Sequence, residues 1–383
     1  MDAPPAVQTS ADPSSVRRWN ERAVLATLED GAPRRAAEIA RATGLTTASV
    51  RDVLRTLASK GWVTDLAPVQ GGMGRPARTF RLDRPDAVTL GVDLGGHSVR
   101  VVRADLLGDV VAVGEASVPA GDIAGTKLVL ARLLADVDPA QIWTTGLAVS
   151  GALDADGTLL RSIALPHLAG SRPADVFADT LPGDILTTHD AKSSLWAEHR
   201  RGAAVDARDV MLVSLGRRPA IALLLDGQLY HGAHGSAGEL SLNELLPATG
   251  DYTWRAADDA TDPQGDALRS ALAGDAESIE GALSFLHGVT PQIAYAVALV
   301  DPSMLVIGGA LAPVLERGLP RFADELGARL QTPPDVRLST LDQYAAAAGA
   351  CLLARERLWT SLLDHPDGVA PLTRESFDAA VSA

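Results

Sequence analysis

The stretch Val88–Val111, VTLGVDLGGHSVRVVRADLLGDVV, constrains this chain more than any other. Leu90 and Val92 alternate into Asp93, Gly95 and Gly96 make a tight turn, and Val99, Val101 and Val102 resume the alternation. That is strand, glycine turn, strand, turn, strand. An acidic residue followed closely by a Gly-Gly turn sets a carboxylate beside backbone N–H groups that no side chain shields. Such a pair suits a phosphate and its Mg²⁺. The residues before this stretch read as a separate small domain, and those after it as one larger folded unit.

Charge divides at the same place. Residues 1–84 hold 13 Lys/Arg against 9 Asp/Glu, a net of +4, whereas the remainder holds 21 against 39, a net of −18. A basic head on an acidic body assigns any polyanion to the head, the plain alternative being a solvated surface that is uneven by chance. The 383 residues suffice for two or three domains. The single cysteine, Cys351, excludes an internal disulfide and a Cys-based zinc site, and fits a reducing cytoplasm. The opening MDAPPAVQTSADPSS has neither the basic start nor the apolar centre of a signal peptide. The longest apolar run, Ile293–Leu315, is broken by Asp301-Pro302 and Gly308-Gly309, so it reads as helix, turn, strand and turn rather than a membrane span.

Residues 1–14, rich in Pro, Ala and Ser, are expected to be disordered. Residues 15–84 read as a winged helix-turn-helix. Val16–Glu29 predicts one helix, Ala36–Thr43 a second, and Gly44-Leu45 the turn before a third, capped by Thr46 and running to Lys60. Val50, Val53, Leu54 and Leu57 make the buried stripe of that third helix. Thr46, Thr47, Ala48, Ser49, Arg51 and Arg55 lie off the stripe, toward the end that would enter a major groove. Small and hydroxyl side chains permit close approach, and the two arginines reach phosphates or guanine edges. Gln70–Phe80, QGGMGRPARTF, reads as the tip of a wing, with Arg75 suited to a narrow minor groove and Arg78 to phosphate. The alternative is a three-helix protein-interaction module.

Beyond Pro85-Asp86 strands alternate with helices. Gln141–Val149 ends at Ser150-Gly151, and Asp184–Thr188 delivers His189 and Asp190 ahead of a helix over Lys192–Arg201. Val210–Leu215 leads to Gly216, and Asp226-Gly227 joins a hairpin as a type I′ turn. Helices are expected at Thr126–Leu134, Pro291–Leu299 and Ala345–Leu353, with a buried strand at Met304–Ile307. The pattern predicts two α/β lobes with a cleft between them.

Six segments in order and spacing, GVDLGGHSVR, GLAVSGALD, HDAKSSLWAEHRRGAA, LLLDGQLYHGAHGSAGELS, DPSMLVIGGAL and AAAAGA, make the chain resemble the ROK family (repressors, open reading frames and sugar kinases) in its repressor form. The resemblance spans about residues 15–355. It implies an α/β fold in which the winged head precedes a two-lobed actin-like (ribonuclease H-like) ATPase/sugar kinase fold. The first lobe would cover 85–200, joined by C-terminal helices over about 355–383, and the second lobe 201–354. It also implies a homodimer or homotetramer.

The kinase chemistry is partly erased. The family turn resembles Asp-x-Gly-Gly-Thr-Lys; Asp93, Gly95 and Gly96 stand, but His97 and Ser98 replace the last two. The second phosphate loop reads Gly216-Arg217-Arg218-Pro219-Ala220, with two glycines lost and an N–H removed by Pro219. A counter-reading lets Arg217 and Arg218 bind an anion by their own charge. Asp190 matches the family's general base and Glu239 a carboxylate that grips sugar hydroxyls, with His189, Ser150 and Gly151 beside them. His189 stands where the family has Asn, Leu242 where it has a zinc-binding His, and Leu242–Glu277 lacks Cys and His altogether. His231 and His234 fall in a Gly-rich exit and read as surface residues. No metal and no cofactor are expected. The expected function is a DNA-binding transcriptional regulator, a repressor, whose two heads read an inverted-repeat operator in double-stranded DNA. Its catalytically inactive body would sense a sugar or sugar phosphate near Asp190 and Glu239. The alternatives are a bifunctional sugar kinase that also binds DNA, with Asp190 catalytic, and a body that only dimerises.

Overall fold

The computed structural model describes residues 13–67, 78–83, 87–215, 219–240, 269–365 and 368–382. The chain forms two compact units: Met1–Val88 with Ala104–Asp109 and Arg355–Ala383, and Thr89–Arg103 with Val110–Ala354.

The first unit contains α1 (Pro13–Ala26), β1 (Arg34–Arg35), α2 (Ala36–Thr43), α3 (Thr47–Ser59), β2 (Val63–Leu66) and β3 (Thr79–Leu82). Gly44 ends α2 in the left-handed region, at φ 74°, and the Thr46 hydroxyl accepts the Ser49 N–H at 3.1 Å to start α3. These two residues fix the turn between the helices. Val50, Val53, Leu54 and Leu57 are buried, as are Val24, Leu25, Leu28 and Ile39. β2 and β3 pair antiparallel from Val63↔Leu82 to Leu66↔Thr79. β1 adds to β3, with Arg34 opposite Phe80. The first helix starts three residues before the expected Val16, so Pro13 and Ser14 are helical. The rest of the expected tail, the wing tip with Arg75 and the boundary at Pro85-Asp86 lie outside the described residues.

Residues 355–383, expected with the first lobe, belong to this unit. The buried Trp62 donates its indole N–H to Ala370 O at 2.7 Å, and its ring lies 5.1 Å from that of Trp359. The Leu372 N–H bonds Lys60 O at 2.8 Å. Glu21, buried on α1, accepts the Val369 N–H at 3.0 Å and sits 3.4 Å from the Lys60 ammonium. A head this small has little core of its own, and the chain's end supplies the missing apolar and polar partners.

The second unit holds two five-stranded sheets. The first has the order β10-β7-β4-β5-β6, from β4 (Val88–Leu94), β5 (Ser98–Asp105), β6 (Val110–Ser117), β7 (Ile142–Val149) and β10 (Asp184–His189). Within this half of the chain lie α4 (Ile123–Leu133), the hairpin β8 (Ala152–Leu153) and β9 (Leu159–Arg161), and α5 (Pro173–Phe177). Then α6 (Asp190–Arg201) leads to the second sheet, order β13-β12-β11-β14-β15. Its strands are β11 (Val210–Ser214), β12 (Ala220–Leu225), β13 (Gln228–Leu229), β14 (Met304–Gly308) and β15 (Asp335–Leu338). β12 and β13 meet through Asp226 at φ 51° and Gly227 at φ 76°, the positive pair that a type I′ turn requires.

The chain continues through α7 (Ala276–Val300), α8 (Ala312–Leu315), α9 (Leu319–Gly327) and α10 (Ala345–Leu363). α7 is a correction: a helix was expected to begin at Pro291, yet it begins after the Asp275 cap and runs through that proline. An interior proline costs roughly 3 kcal/mol. Burial of Ala282, Phe285, Leu286, Val289, Ile293, Ala294 and Val297 along one side outweighs it. α7 is long and apolar enough to cross a membrane, but that side packs into the core of the second sheet. The Ala-rich start of α10 lies backbone-close on the first sheet: a Cβ on Gly91 or Gly146 would stand 2.0 Å from the carbonyls of Ala347 and Ala350.

Candidate functional site

Two groups of predicted residues come together, one in each unit. On the head, Thr46, Ala48, Arg51 and Arg55 are exposed, and Thr47 and Ser49 half-buried, around the first turns of α3. Val50, Val53 and Leu54 anchor the opposite side, so the stripe that builds the core also sets which side chains point outward. Arg55 pairs with Asp52 at 3.1 Å, both strongly exposed, a bond that water and salt weaken. Arg78, at the foot of the wing, donates to Asp65 at 2.7 Å.

In the second unit, β10 and β7 are parallel neighbours with His189 opposite Val149. Ser150 and Asp190 therefore leave the sheet side by side, at the carboxyl ends of adjacent strands, and the Ser150 hydroxyl bonds the Asp190 carboxylate. Gly151 follows at φ 122°, a conformation that favours glycine. His189 is the N-cap of α6: its Nδ1 accepts the Ala191 N–H at 3.1 Å. Nδ1 is then the acceptor nitrogen, and Nε2 carries the proton that it donates to Oε1 of buried Glu239. The residue that departs from the family's Asn thus keeps the cap and gains a bond across the site. Desolvation pushes the Asp190 carboxyl above its ordinary value and Glu239 adds to this, while His189, the Ala191 N–H and Ser150 pull the other way.

Lys192 was read only as the first residue of a helix. It is 2 % exposed, and its ammonium donates to Gly235 O at 2.8 Å. Burial lowers its pKa, and Glu239 and Asp190 oppose that. A signal was present: Lys192 precedes the buried Leu195 and Trp196 by three and four residues, which puts it on the inner stripe of α6. Gly235 is fixed in turn, because a Cβ there would stand 1.6 Å from Leu153 O.

Asp93 was expected beside a phosphate. It bonds Arg100 at 3.3 Å, and the same guanidinium holds Glu115 at 2.7 Å. Burial pushes the Asp93 carboxyl up to about 6, with Arg100 pulling it down and Asp190 adding to the rise. Gly96 has a packing reason of its own, since a Cβ there would come 2.8 Å from Ala164 O. Gly216, Arg217 and Arg218 lie outside the described residues, as does Leu242. His231 and His234 are exposed, and among the described residues no three His, Cys, Asp or Glu side chains are grouped to hold a metal ion.

Comparison with known proteins follows this division. The ROK family model matches residues 89–247, and the IclR helix-turn-helix domain matches residues 23–66. The DNA-binding transcriptional dual regulator NagC of Escherichia coli is 23 % identical over 240 residues, 61 % of this chain and 59 % of that protein. The chain thus spans about three fifths of the length of the curated relative it matches. The crystal structure of a ROK family transcriptional regulator, a homologue of the E. coli MLC protein, superposes with a TM-score of 0.63 at 16 % identity, covering 89 % of this chain and 96 % of that one. A ROK family glucokinase from Streptomyces griseus, in complex with glucose and AMPPNP, gives 0.57 at 18 % identity, over 70 % of this chain and all of that one. The fold is therefore the mixed α/β fold that ROK regulators and ROK sugar kinases share. This chain carries a ROK family domain behind an N-terminal IclR-type helix-turn-helix domain.

Proposed function

We propose that the chain is a sequence-specific DNA-binding transcriptional regulator, a repressor, which reads an inverted-repeat operator as a pair of heads. The observation that carries this is the outward face of α3, where Arg51 and Arg55 stand beside Thr46, Ala48 and Ser49 on a rigid, capped helix. Small side chains let the helix sink into a major groove, and the arginines then meet base edges or phosphate. Arg78, exposed at the start of β3, is suited to phosphate, and Arg75, which lies outside the described residues, is suited to a narrow minor groove.

The body binds a small polyhydroxylated ligand, a sugar or sugar phosphate, at Ser150, Asp190 and Glu239, and does not phosphorylate it. The engagement of Asp93 by Arg100 supports this reading, because that carboxylate is already bonded to a side chain of the chain itself. A ligand that binds one state of the chain better than the other shifts DNA affinity, by a coupling of about 1–3 kcal/mol. A second reading, a sugar kinase that also binds DNA, draws on the retained pair Asp190 and Glu239, with Asp190 as base.

Footprinting of the full chain on fragmented genomic DNA tests the first reading. We expect protected inverted repeats that survive competitor DNA. Uniform, sequence-blind binding would refute it. Incubation with ATP and a panel of hexoses and amino sugars tests the second, which requires turnover that Asp190→Asn abolishes.

A further inference from the structure

We propose that Lys192 is a positioning residue for ligand binding: its ammonium holds the loop that brings Glu239 to the site. The site is the one formed by Ser150, Asp190 and Glu239, and the assignment rests on their reading as a sugar site. Glu239 does not lie on a strand. It follows a loop over 230–238 that begins where β13 ends. Both ends of the loop are tied to β12: the Tyr230 N–H donates to Leu223 O at 2.9 Å, and the Ile221 N–H donates to Gly238 O at 2.9 Å. The backbone bonds between these ties lie within the loop itself, as from the Ala237 N–H to His231 O at 3.3 Å. The Glu239 N–H in turn donates to Ser236 O at 3.2 Å. Among the described residues, one side chain from outside the loop bonds its middle: Lys192, which donates to Gly235 O at 2.8 Å.

The first turn of α6 therefore meets this loop twice. His189, the cap, bonds the Glu239 carboxylate, and Lys192 bonds the backbone four residues earlier, at Gly235. Asp190, between them in sequence, bonds Ser150. One helical turn thus fixes the two carboxylates relative to each other. A buried ammonium loses its hydration, so a lysine persists there only if its charge is answered. Glu239 and Asp190 answer it through space. A charged donor bonds a carbonyl more strongly than a neutral one does, and at 2 % exposure little water competes for this one. A ligand that spans Asp190 and Glu239 gains from carboxylates already in place, and it loses affinity when it must order the loop itself.

Isothermal titration of the full chain with glucose, xylose, N-acetylglucosamine and glucose 6-phosphate is the first measurement. Wild type is compared with Lys192→Met, which keeps an unbranched side chain and removes its charge. The variant should raise the dissociation constant of any of these sugars that wild type binds by about tenfold or more, the loss expected of a hydrogen bond made by a charged group. It should also speed hydrogen exchange of the N–H groups over 231–239. The second measurement needs no variant. Burial lowers the Lys192 pKa, and Glu239 and Asp190 oppose that. His231 also faces Lys192, but its own pKa is lowered by burial, so it carries no charge in the alkaline range. His189 bonds in its neutral form. Wild-type affinity should therefore fall between pH 7 and about 9.5, short of the ordinary lysine value of 10.5, and Lys192→Met should show no such fall. Equal affinity of the two proteins, or a wild-type profile flat over that range, would overturn the proposal and leave the sugar site standing. Weaker binding with unchanged exchange over 231–239 would overturn it too, by making Lys192 a direct ligand contact. No binding of any of the four sugars by wild type would refute the sugar site and the proposal with it.

Discussion

The outer face of α3 and the cluster around Asp190 both concentrate charge, and they are built in opposite ways. On α3, Arg51 is exposed and Arg55 pairs with a strongly exposed Asp52, so little is lost when a polyanion arrives. In the body each charge is already answered from within the chain: Asp93 by Arg100, Glu239 by His189, Lys192 by Gly235 O. A face of weakly engaged cations on a rigid helix is fitted to an outside partner. A cluster that closes on itself first holds strands and loops together, and a ligand must compete with those bonds.

The largest effect expected from this contrast is at Lys192. Lys192→Ala leaves Gly235 O without its donor and removes the buried cation that Glu239 and Asp190 attract through space. It should destabilise the chain by about 3 kcal/mol in chemical denaturation, the upper range for losing a hydrogen bond made by a charged group, without altering the footprint sequence. A loss below about 1 kcal/mol, the level of a surface pair, would mean that the cluster is not closed.

Next comes Asp93. Its carboxyl is raised in the folded chain to about 6 from 3.8, so the stabilisation from protonating it is complete below 3.8 and is lost as pH rises through about 6. Asp93→Asn should therefore stabilise the protein above pH 6, by up to about 3 kcal/mol, with the gain fading toward pH 4. Melting curves across that range check it. A destabilised variant at pH 8 would show that the bond to Arg100 outweighs the burial of charge.

The smallest effect belongs to Arg55. Arg55→Ala should weaken binding to every DNA sequence alike, by less than about 1 kcal/mol, and reduce the salt slope by about one unit as a phosphate contact does. Loss of preference at one base pair would instead make it a base reader.

Much of this was legible in the sequence, for local reasons. The α2–α3 turn follows from Gly44 and the Thr46 cap, and the β12–β13 hairpin from Asp226-Gly227, because each conformation is dictated by residues within the turn itself. The gathering of Ser150, His189, Asp190 and Glu239 was visible through the family resemblance. What stayed hidden depends on partners far along the chain. Trp62 finds Ala370, and Arg100 meets Asp93 and Glu115 through strand register that charge patterning does not reveal. Pro291 masked the true start of α7, because a local helix breaker was overruled by burial on its inner side. Lys192 was missed because only its place at the start of a helix was read, although its spacing from the buried Leu195 and Trp196 put it inside.

The central claim is that the outer face of α3 reads DNA by sequence. Affinity of wild type and Arg51→Ala for one footprinted operator, and for single-base variants of it at fixed salt, tests this most directly. The account predicts a loss of about 1–3 kcal/mol on the operator, with discrimination collapsing at one base pair and little change on unrelated DNA. Equal affinity of both proteins for the operator, or an equal loss on every sequence, would contradict it.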